Sequence, residues 1–199
     1  MKKLSGFICL FVAVALHVEG DSGMGSYFLL DDFSGEQSAI GTDWKGFTDQ
    51  VMGGVSQMSV TRVPGDDGNM LRMRGKVSLE NNGGFIQVRL MLKSFLNPFD
   101  ASEYEGLRVK VRGSGSGYYI FLRTNTMILP WKYLAAPVPV TQDWRVVDIP
   151  WSAFEPGDYG RVGRLKVHRL KSLALVAYGK EFDAEIGRAS CRERVCHRV

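Results

Sequence analysis

The sequence has almost none of the residues that build disulfides, metal centres or thiol active sites. Its three cysteines, Cys9, Cys191 and Cys196, all lie in the terminal segments, and so do two of its three histidines. Residues 21–184 therefore contain no cysteine and one histidine, His168. A disulfide framework, a Cys/His metal site and a cysteine nucleophile are excluded from this segment.

Other catalytic arrangements are missing as well. A Ser–His–acid triad would have to use His168, and the chain contains no G-x-S-x-G nucleophile turn. The acidic pairs Asp31–Asp32 and Asp66–Asp67 are adjacent in sequence, which would place the two carboxylates of each pair on opposite faces of a strand. We expect His168 to be a surface residue, and we expect no enzymatic activity, no catalytic residue, no bound metal and no cofactor.

The charge of the chain does not favour a nucleic-acid partner. The formal net charge is +4, but the terminal segments 1–20 and 185–199 hold six of the 25 basic and three of the 21 acidic residues. The remaining residues are nearly neutral as a group. A domain without a basic surface lacks the electrostatic attraction that nucleic-acid binding needs.

Residues 1–20 have the pattern of a secretory signal peptide. Two lysines precede the apolar run Phe7–Leu16, and Val18 and Gly20 are the small residues expected just before a cleavage site. The run is shorter than the ~20 apolar residues that cross a bilayer as a helix. We expect a cleaved signal, a secreted or periplasmic protein, and no membrane span after cleavage.

The C-terminal segment departs from the pattern of the rest of the chain. Alternation of apolar and polar residues stops near Ala184, and Glu185–Val195 resembles the conceptual translation of a common sequencing adapter. We interpret residues 185–199 as non-native, with a basic, solvated tail as the alternative. On this interpretation the domain covers residues 21–184 and its final strand is truncated.

Within the domain the hydrophobic pattern has a period of two. Apolar and polar residues alternate in Met70–Leu79, Phe85–Leu92, Leu107–Arg112 and, less strictly, Trp144–Ile149. Ser172–Tyr178 is a continuous apolar run, which is typical of a strand buried on both faces. Turn-forming clusters separate these runs, and no segment sustains a helical period. The pattern predicts one all-β domain, an antiparallel β-sandwich, with a jelly roll as the favoured topology.

Two glycine pairs suggest special backbone geometry. Gly53 and Gly54 lie inside Asp49–Ser56, and Asn81 and Asn82 precede the pair Gly83–Gly84. A turn or bulge is favoured over a phosphate cradle, because no P-loop lysine and no helix follow. The second motif predicts a hairpin turn, which would also present amide side chains to a ligand.

Arginines and aromatic residues in the strands have two interpretations each. Arg89, Arg108, Arg112 and Arg123 either form a stripe or lie on solvated strand faces and pair with nearby acids. The aromatic residues either line a sugar-stacking cleft or belong to the core, which is commoner for aromatics in strands. They are Trp44, Trp131, Trp144, Trp151, Tyr118, Tyr119 and Tyr133.

Taken together, the motifs resemble those of the complex I intermediate-associated protein 30 family. The resemblance runs from about Leu30 to Ala184. It is carried by Asp31–Phe33, Trp44 with Thr48–Asp49, Val51–Ser56, Gly75–Phe85, Tyr104–Val109, Tyr119 with Arg123–Thr124, and Trp144 through Pro150 to Phe154.

The resemblance implies a galactose-binding-like jelly roll and a non-enzymatic role. Mitochondrial members of the family assist the assembly of NADH:ubiquinone oxidoreductase, and related folds include carbohydrate-binding modules. The resemblance therefore predicts a chaperone-like module that binds a protein, such as a respiratory-complex assembly intermediate. The alternative, favoured by residues 1–20 and by the sandwich fold, is a secreted or envelope module that binds a glycan. The family favours a mitochondrial location, whereas residues 1–20 favour export.

We expect the loop Asp49–Ser56, the hairpin Asn81–Gly84 and the segment Trp131–Tyr133 to converge on one binding surface, because loops on a rigid sheet commonly carry recognition. The alternative is that the glycines only turn the chain and that Trp131 lies in the core. The candidate binding residues are Asp49, Met52, Gly53, Gly54, Ser56, Asn81, Asn82, Gly83, Gly84, Arg123, Trp131 and Tyr133.

Overall fold

The structure, a computed structural model, describes residues 12–15, 27–65, 68–92, 97–157, 163–179 and 182–187. These ranges contain short 3-10 turns and no α-helix. The strands are β1 (Val12–Ala15), β2 (Tyr27–Asp31), β3 (Trp44–Thr48), β4 (Gln57–Gly65), β5 (Gly68–Val77), β6 (Phe85–Met91), β7 (Gly106–Ser114), β8 (Tyr118–Thr124), β9 (Leu134–Pro137), β10 (Arg145–Pro150), β11 (Glu155–Pro156), β12 (Leu170–Tyr178) and β13 (Phe182–Gly187).

The strands form two sheets, and every pairing in them is antiparallel. The first sheet has the order β2-β1-β7-β13-β5-β4, with β10 also paired to β7. The second sheet has the order β11-β9-β8-β12-β6-β3. Most neighbours in space are distant in sequence, as expected when a chain crosses repeatedly between two sheets.

One apolar core lies between the sheets. In β7 the buried residues alternate with partly exposed ones, so that Val109 and Val111 point inward, and in β8 Ile120 and Leu122 do the same. Side chains from both sheets belong to a single buried cluster. This arrangement confirms the predicted antiparallel β-sandwich of jelly-roll type, in which a typical strand buries one face.

The central strand of the second sheet is the exception to one-sided burial. In β12, Leu173 and Leu175 belong to the core, while Ala174 and Val176 are buried on the opposite face. The continuous apolar run in the sequence predicted this two-sided burial. We call the side of the second sheet that faces away from the core its outer face.

A buried aspartate ties the two sheets together at one edge. Asp31 ends β2 in the first sheet, and its carboxylate accepts a hydrogen bond of 2.8 Å from the indole Nε1 of Trp44, which begins β3 in the second sheet. The same carboxylate accepts the N–H of Phe33 at 2.7 Å. Phe33 is fully buried and has a positive φ of 56°, which this side-chain bond helps to hold.

Two strands include residues from the terminal segments 1–20 and 185–199, which the sequence analysis places outside the domain. β1 lies inside residues 1–20 and pairs with β2 and β7. β13 continues past Ala184 and pairs with β5 and β7, so this end of the domain contributes a strand to the first sheet. The rest of both segments lies outside the described residues, and the signal peptide stays a prediction.

No helix in the described ranges is long and apolar enough to cross a membrane.

Gly75 supplies a test of the sheet packing. A Cβ at this position would lie 2.1 Å from the carbonyl oxygen of Gln57 on the neighbouring strand β4. Because the obstacle is backbone, we expect Gly75→Ala to destabilise the protein by about 2–3 kcal/mol, the usual cost of forcing extra volume into a packed site. Urea unfolding monitored by tryptophan fluorescence measures this.

The control is Gly163→Ala, where a Cβ would meet nothing within 4 Å. We expect its urea midpoint to stay close to that of the wild type. Equal urea midpoints for the two variants would contradict the prediction. They would show that β4 can move away from β5 without lowering the free energy of unfolding.

Candidate functional site

The carboxylate of Asp49 joins two loops at one end of the second sheet. Asp49 begins the 3-10 turn Asp49–Met52 after β3, and its side chain is completely buried. Oδ1 accepts the N–H of Ser56 at 2.9 Å, and Oδ2 accepts the N–H groups of Gly84 at 2.7 Å and Phe85 at 3.3 Å. The Ser56 hydroxyl also donates to Oδ2. The chain that leaves β3 is thereby fixed to the chain that enters β6.

The glycines around Asp49 make this burial possible. A Cβ at Gly54 would lie 2.4 Å from the carboxyl carbon of Asp49, and one at Gly83 would lie 2.5 Å from Oδ2. Gly53 has a φ of 92° and ends the 3-10 turn. The carboxylate therefore packs directly against backbone, and side chains at these positions would displace it.

The hydrogen bonds determine the charge state of Asp49. Burial alone would raise the pKa of its carboxyl, but the bonds from the Ser56 hydroxyl and from the N–H groups of Gly84, Ser56 and Phe85 outweigh burial and hold the pKa below its ordinary value of 3.8. The group is thus an ionised anchor. Its oxygens face the two loops, so Asp49 and Ser56 stabilise the fold rather than contact solvent.

The expected convergence of three segments is only partly right. The loop Asp49–Ser56 and the hairpin Asn81–Gly84 meet, and Met52, Asn81 and Asn82 are exposed on them. β3 ends at Thr48 and β8 begins at Tyr118, both at the end of the sheet where β6 starts. Trp131–Tyr133 follows the other end of β8, so it lies away from the two loops. The sequence pattern could not place this segment, since its position depends on the order of strands in the sheet.

Trp131 belongs to an exposed loop rather than to the core. Trp131 is 48% exposed, and the same loop contains two further exposed apolar residues, Ile128 at 77% and Leu129 at 41%. The guanidinium of Arg123 holds this loop: Nη2 donates to the carbonyls of Met127 and Leu129 at 3.0 and 2.8 Å, and Nε donates to that of Lys132 at 3.1 Å. Arg123, a candidate contact residue, is thus also a structural brace.

The outer face of the second sheet carries an aromatic groove. It has a volume of about 520 Å³. Tyr119 and Phe121 alternate with the core residues of β8, and the ring of Phe121 stacks on Tyr133 with centroids 3.9 Å apart and planes at 11°. Tyr178 of β12 contacts both Tyr119 and Phe121 edge-on. The groove is lined by Tyr119, Phe121, Tyr133, Ala135, Pro137, Ala153, Glu155, Pro156, Gly157 and Tyr178.

The groove also depends on a close glycine contact. A Cβ at Gly157 would lie 2.2 Å from the ring of Tyr133, so the backbone after β11 packs flat against that ring. Tyr133 is only 8% exposed as a result. Tyr119, Phe121 and Tyr178 remain partly exposed and offer their rings to a ligand.

Sequence reasoning found part of this groove. Tyr119 and Tyr133 were among the aromatics considered for a sugar-stacking cleft, but Phe121 and Tyr178 were not. The alternation in β8, with Tyr118 and Ile120 in the core and Tyr119 and Phe121 opposite, is the signal that could have identified Phe121. Trp44 and Tyr118 instead contact the core, and Trp144 lies under Arg112 with 4.4 Å between guanidinium carbon and ring centroid.

The arginines do not form one stripe. Arg108 pairs with Asp148 on the first sheet through two hydrogen bonds of 2.6 and 2.9 Å. Arg89 and Arg123 lie on the outer face of the second sheet.

His168 is exposed, as the sequence analysis predicts. Across the described ranges, no three His, Cys, Asp or Glu side chains come together as metal ligands do.

The Asp49 anchor can be tested by mutation. Asp49→Asn replaces an acceptor oxygen with an amide that faces N–H donors, which leaves buried polar groups unpaired. We expect a loss of about 2–4 kcal/mol in the free energy of unfolding, measured with urea. The control Asp148→Asn removes an exposed ion pair and is expected to cost at most about 1 kcal/mol. Similar losses for both variants would contradict a special role for Asp49.

The lowered pKa of Asp49 also predicts a pH dependence. Between the folded-state pKa and 3.8 the unfolded chain holds more protons, so the contribution of Asp49 to stability is complete above about pH 3.8 and is lost as the pH falls through the folded-state pKa. We expect the stability difference between wild type and Asp49→Asn to shrink in that acidic range. Urea midpoints measured from pH 7 down to pH 2.5 would show this, and parallel curves would contradict it.

Solved structures with a similar fold are carbohydrate-binding modules. A family 11 carbohydrate-binding module of a cellulosomal cellulase from Clostridium thermocellum matches with a TM-score of 0.61 and 14% identity, over 83% of this chain and 95% of that one. The family 11 module from the same organism, in complex with a β-1,3-1,4-mixed-linked tetrasaccharide, matches with a TM-score of 0.60 and 14% identity, over 92% and 99%. These similarities show a shared fold, the galactose-binding-like jelly roll.

Sequence comparison gives the family. Among curated proteins none is a significant match to this chain. The family model of complex I intermediate-associated protein 30 (CIA30) matches residues 32–186, well over half of the 199 residues. The matched range begins directly after β2 and reaches into β13, so it includes strands of both sheets of the sandwich. The chain belongs to the complex I intermediate-associated protein 30 family.

Proposed function

We propose that this protein is a non-enzymatic binding module whose groove on the outer face of the second sheet holds a glycan. The observation that carries the proposal is the cluster of Tyr119, Phe121 and Tyr178, three partly exposed rings around a cavity of about 520 Å³. A cavity of this size accommodates a small ligand or part of a longer chain.

The chemistry of the groove suits a sugar. Sugar rings have apolar C–H faces, which pack on aromatic rings, and hydroxyl edges, which need hydrogen-bonding partners. The rings of Tyr119 and Phe121 supply the aromatic surface for the C–H faces. The carboxylate of Glu155 and the tyrosine hydroxyls supply hydrogen-bonding partners for the sugar hydroxyls. A site with apolar walls and a few polar groups is the usual form of a specific small-ligand site.

The fold comparison supports the same class of ligand. Two of the similar solved structures are carbohydrate-binding modules, and one of them holds a mixed-linked tetrasaccharide. At 14% identity this similarity supports the scaffold and not the specificity. The proposal for this chain therefore depends on its own groove residues.

A protein-binding role is the second candidate, and family membership favours it. The family is named for association with a complex I intermediate, and this chain exposes apolar side chains on the loop that Arg123 braces. Ile128, Leu129 and Trp131 lie there, and a cluster of exposed apolar residues is typical of a protein contact. On this hypothesis the partner contacts the loop and not the groove.

The two candidates imply different locations for the protein. Glycan binding fits the secreted or periplasmic location that residues 1–20 predict, and assembly of a respiratory complex fits the mitochondrion. We propose export, with a mature chain that begins close to Asp21. Such a chain lacks β1, so β2 loses its pairing with that strand in the first sheet. Mass spectrometry of the N-terminus of protein expressed in its own host tests this, and intact Met1 on the functional protein would contradict it.

A substitution at Tyr119 tests the groove. We expect wild-type protein to bind at least one member of a panel of oligosaccharides that includes a β-1,3-1,4-mixed-linked tetrasaccharide. Tyr119→Ala removes one stacking surface, and we expect it to weaken that binding at least tenfold in isothermal titration calorimetry, the effect of losing a central aromatic contact. The control is Tyr27→Ala on the first sheet, which should bind as tightly as the wild type.

The loop variant Trp131→Ala separates the two candidates. If the groove binds glycans, Trp131→Ala leaves glycan affinity unchanged. If the protein is an assembly factor, Trp131→Ala reduces capture of the respiratory-complex intermediate and Tyr119→Ala does not. Wild-type protein that binds no oligosaccharide in the panel would overturn the glycan proposal.

A further inference from the structure

Two arginines approach each other on the outer face of the second sheet. Arg89 of β6 and Arg123 of β8 lie on either side of β12, where Ala174 is paired with Arg89 and Ser172 with Arg123. Both residues of β12 are small and buried, so the long arginine side chains can cover them and reach toward one another. Phe121 is the partner of Ala174 on the other side, which makes the arginine pair continuous with the aromatic groove.

Neither arginine has a counterion in the part of the chain that the structure describes. Nη2 of Arg89 donates to Oε1 of Gln87 at 3.3 Å, and its guanidinium carbon lies 5.0 Å from the ring centroid of Phe47. Nε of Arg89 is buried and has no hydrogen-bond partner among the described residues. Arg123, 8% exposed, uses Nε and Nη2 on backbone carbonyls, which are neutral acceptors.

The electrostatics of the pair are unfavourable without a ligand. Burial lowers the pKa of Arg89, and burial together with the charge of Arg89 lowers the pKa of Arg123. Lys45 of β3, paired with Arg89 in the sheet, adds a third positive charge on this face. Glu155 is acidic and lines the groove; β9 separates it from β8, and among the described residues it forms no ion pair with either arginine. A cluster of cations with an unpaired buried donor costs stability.

Arginine is well suited to bind an oxyanion at such a site. Its planar guanidinium presents parallel N–H groups that match the two oxygens of a carboxylate or a sulfate, and such charge-assisted bonds are stronger when water is excluded. An anion between the two side chains would neutralise their repulsion and accept the unpaired Nε–H of Arg89.

We propose that the glycan held by the groove is acidic, and that its carboxylate or sulfate group binds between Arg89 and Arg123 while neighbouring sugar rings lie on Phe121 and Tyr119. The inference rests on the proposed function, because it assigns a ligand class to the same face. In this arrangement Arg89 determines the preference for an acidic ligand. Arg123 also keeps its hydrogen bonds to the carbonyls of the exposed loop.

The test compares matched ligands on the full chain. Tetragalacturonate, its carboxyl-reduced neutral counterpart and a sulfated galactan tetrasaccharide are titrated by calorimetry at low and high salt. We expect at least one of the two acidic ligands to bind at least tenfold more tightly than the neutral one, with an advantage that shrinks at high salt because salt screens charge. The two acidic ligands distinguish a carboxylate site from a sulfate site.

Arg89→Gln is the main variant, because Arg123 also holds the loop and its loss would disturb the fold. We expect Arg89→Gln to remove the preference for the acidic ligand and to keep the affinity for the neutral one. The control Arg145→Gln removes an exposed arginine of β10 on the first sheet and should change neither affinity.

Without ligand, the thermal midpoint of Arg89→Gln should equal or exceed that of the wild type, since an unpaired buried donor is lost.

Each outcome has a definite meaning. Equal affinity of the wild type for acidic and neutral ligands overturns the acidic preference and leaves glycan binding intact. A preference that survives Arg89→Gln, or a lowered thermal midpoint with unchanged preference, makes Arg89 a structural residue and overturns the inference. Failure of all three ligands and of the neutral oligosaccharide panel overturns the proposed function, and the inference with it.

Discussion

The buried carboxylate of Asp49 is the constraint on which one end of the sandwich depends. A carboxylate ion only accepts hydrogen bonds, so its burial requires donors on both oxygens. Ser56 and Gly84 provide them, and the close approach of backbone requires glycine at positions 54 and 83. Because this contact fixes β3 to the start of β6, it also fixes one edge of the sheet whose outer face carries the groove.

Much of the fold was accessible from the sequence because alternation is a local signal. A period of two in Leu107–Arg112 and a continuous apolar run in Ser172–Tyr178 distinguish strands with one buried face from a strand with two. The meeting of Asp49–Ser56 with Asn81–Gly84 was also predicted. The position of Trp131 was not, because it depends on the order of strands in the sheet, which no local pattern contains.

The binding face was harder to predict for a related reason. Alternation shows that Tyr119 and Phe121 share a face, but it does not say which face of a sheet is covered. Arg89 and Arg123 looked like solvated strand residues, and only the small side chains Ala174 and Ser172 between them allow the two guanidinium groups to approach. Residues 34 positions apart in sequence thus form one site, which only the tertiary structure brings together.

The apolar centre of strand β12 has a consequence for how the protein is made. An exposed apolar segment such as Leu173–Ala177 is prone to pair with other chains and aggregate. In this topology both neighbours of the strand, β6 and β8, precede it in the chain. Both partner strands of β12 have therefore already been synthesised when β12 leaves the ribosome. This apolar segment can pair as soon as it emerges, which shortens the time for which it is exposed to other chains.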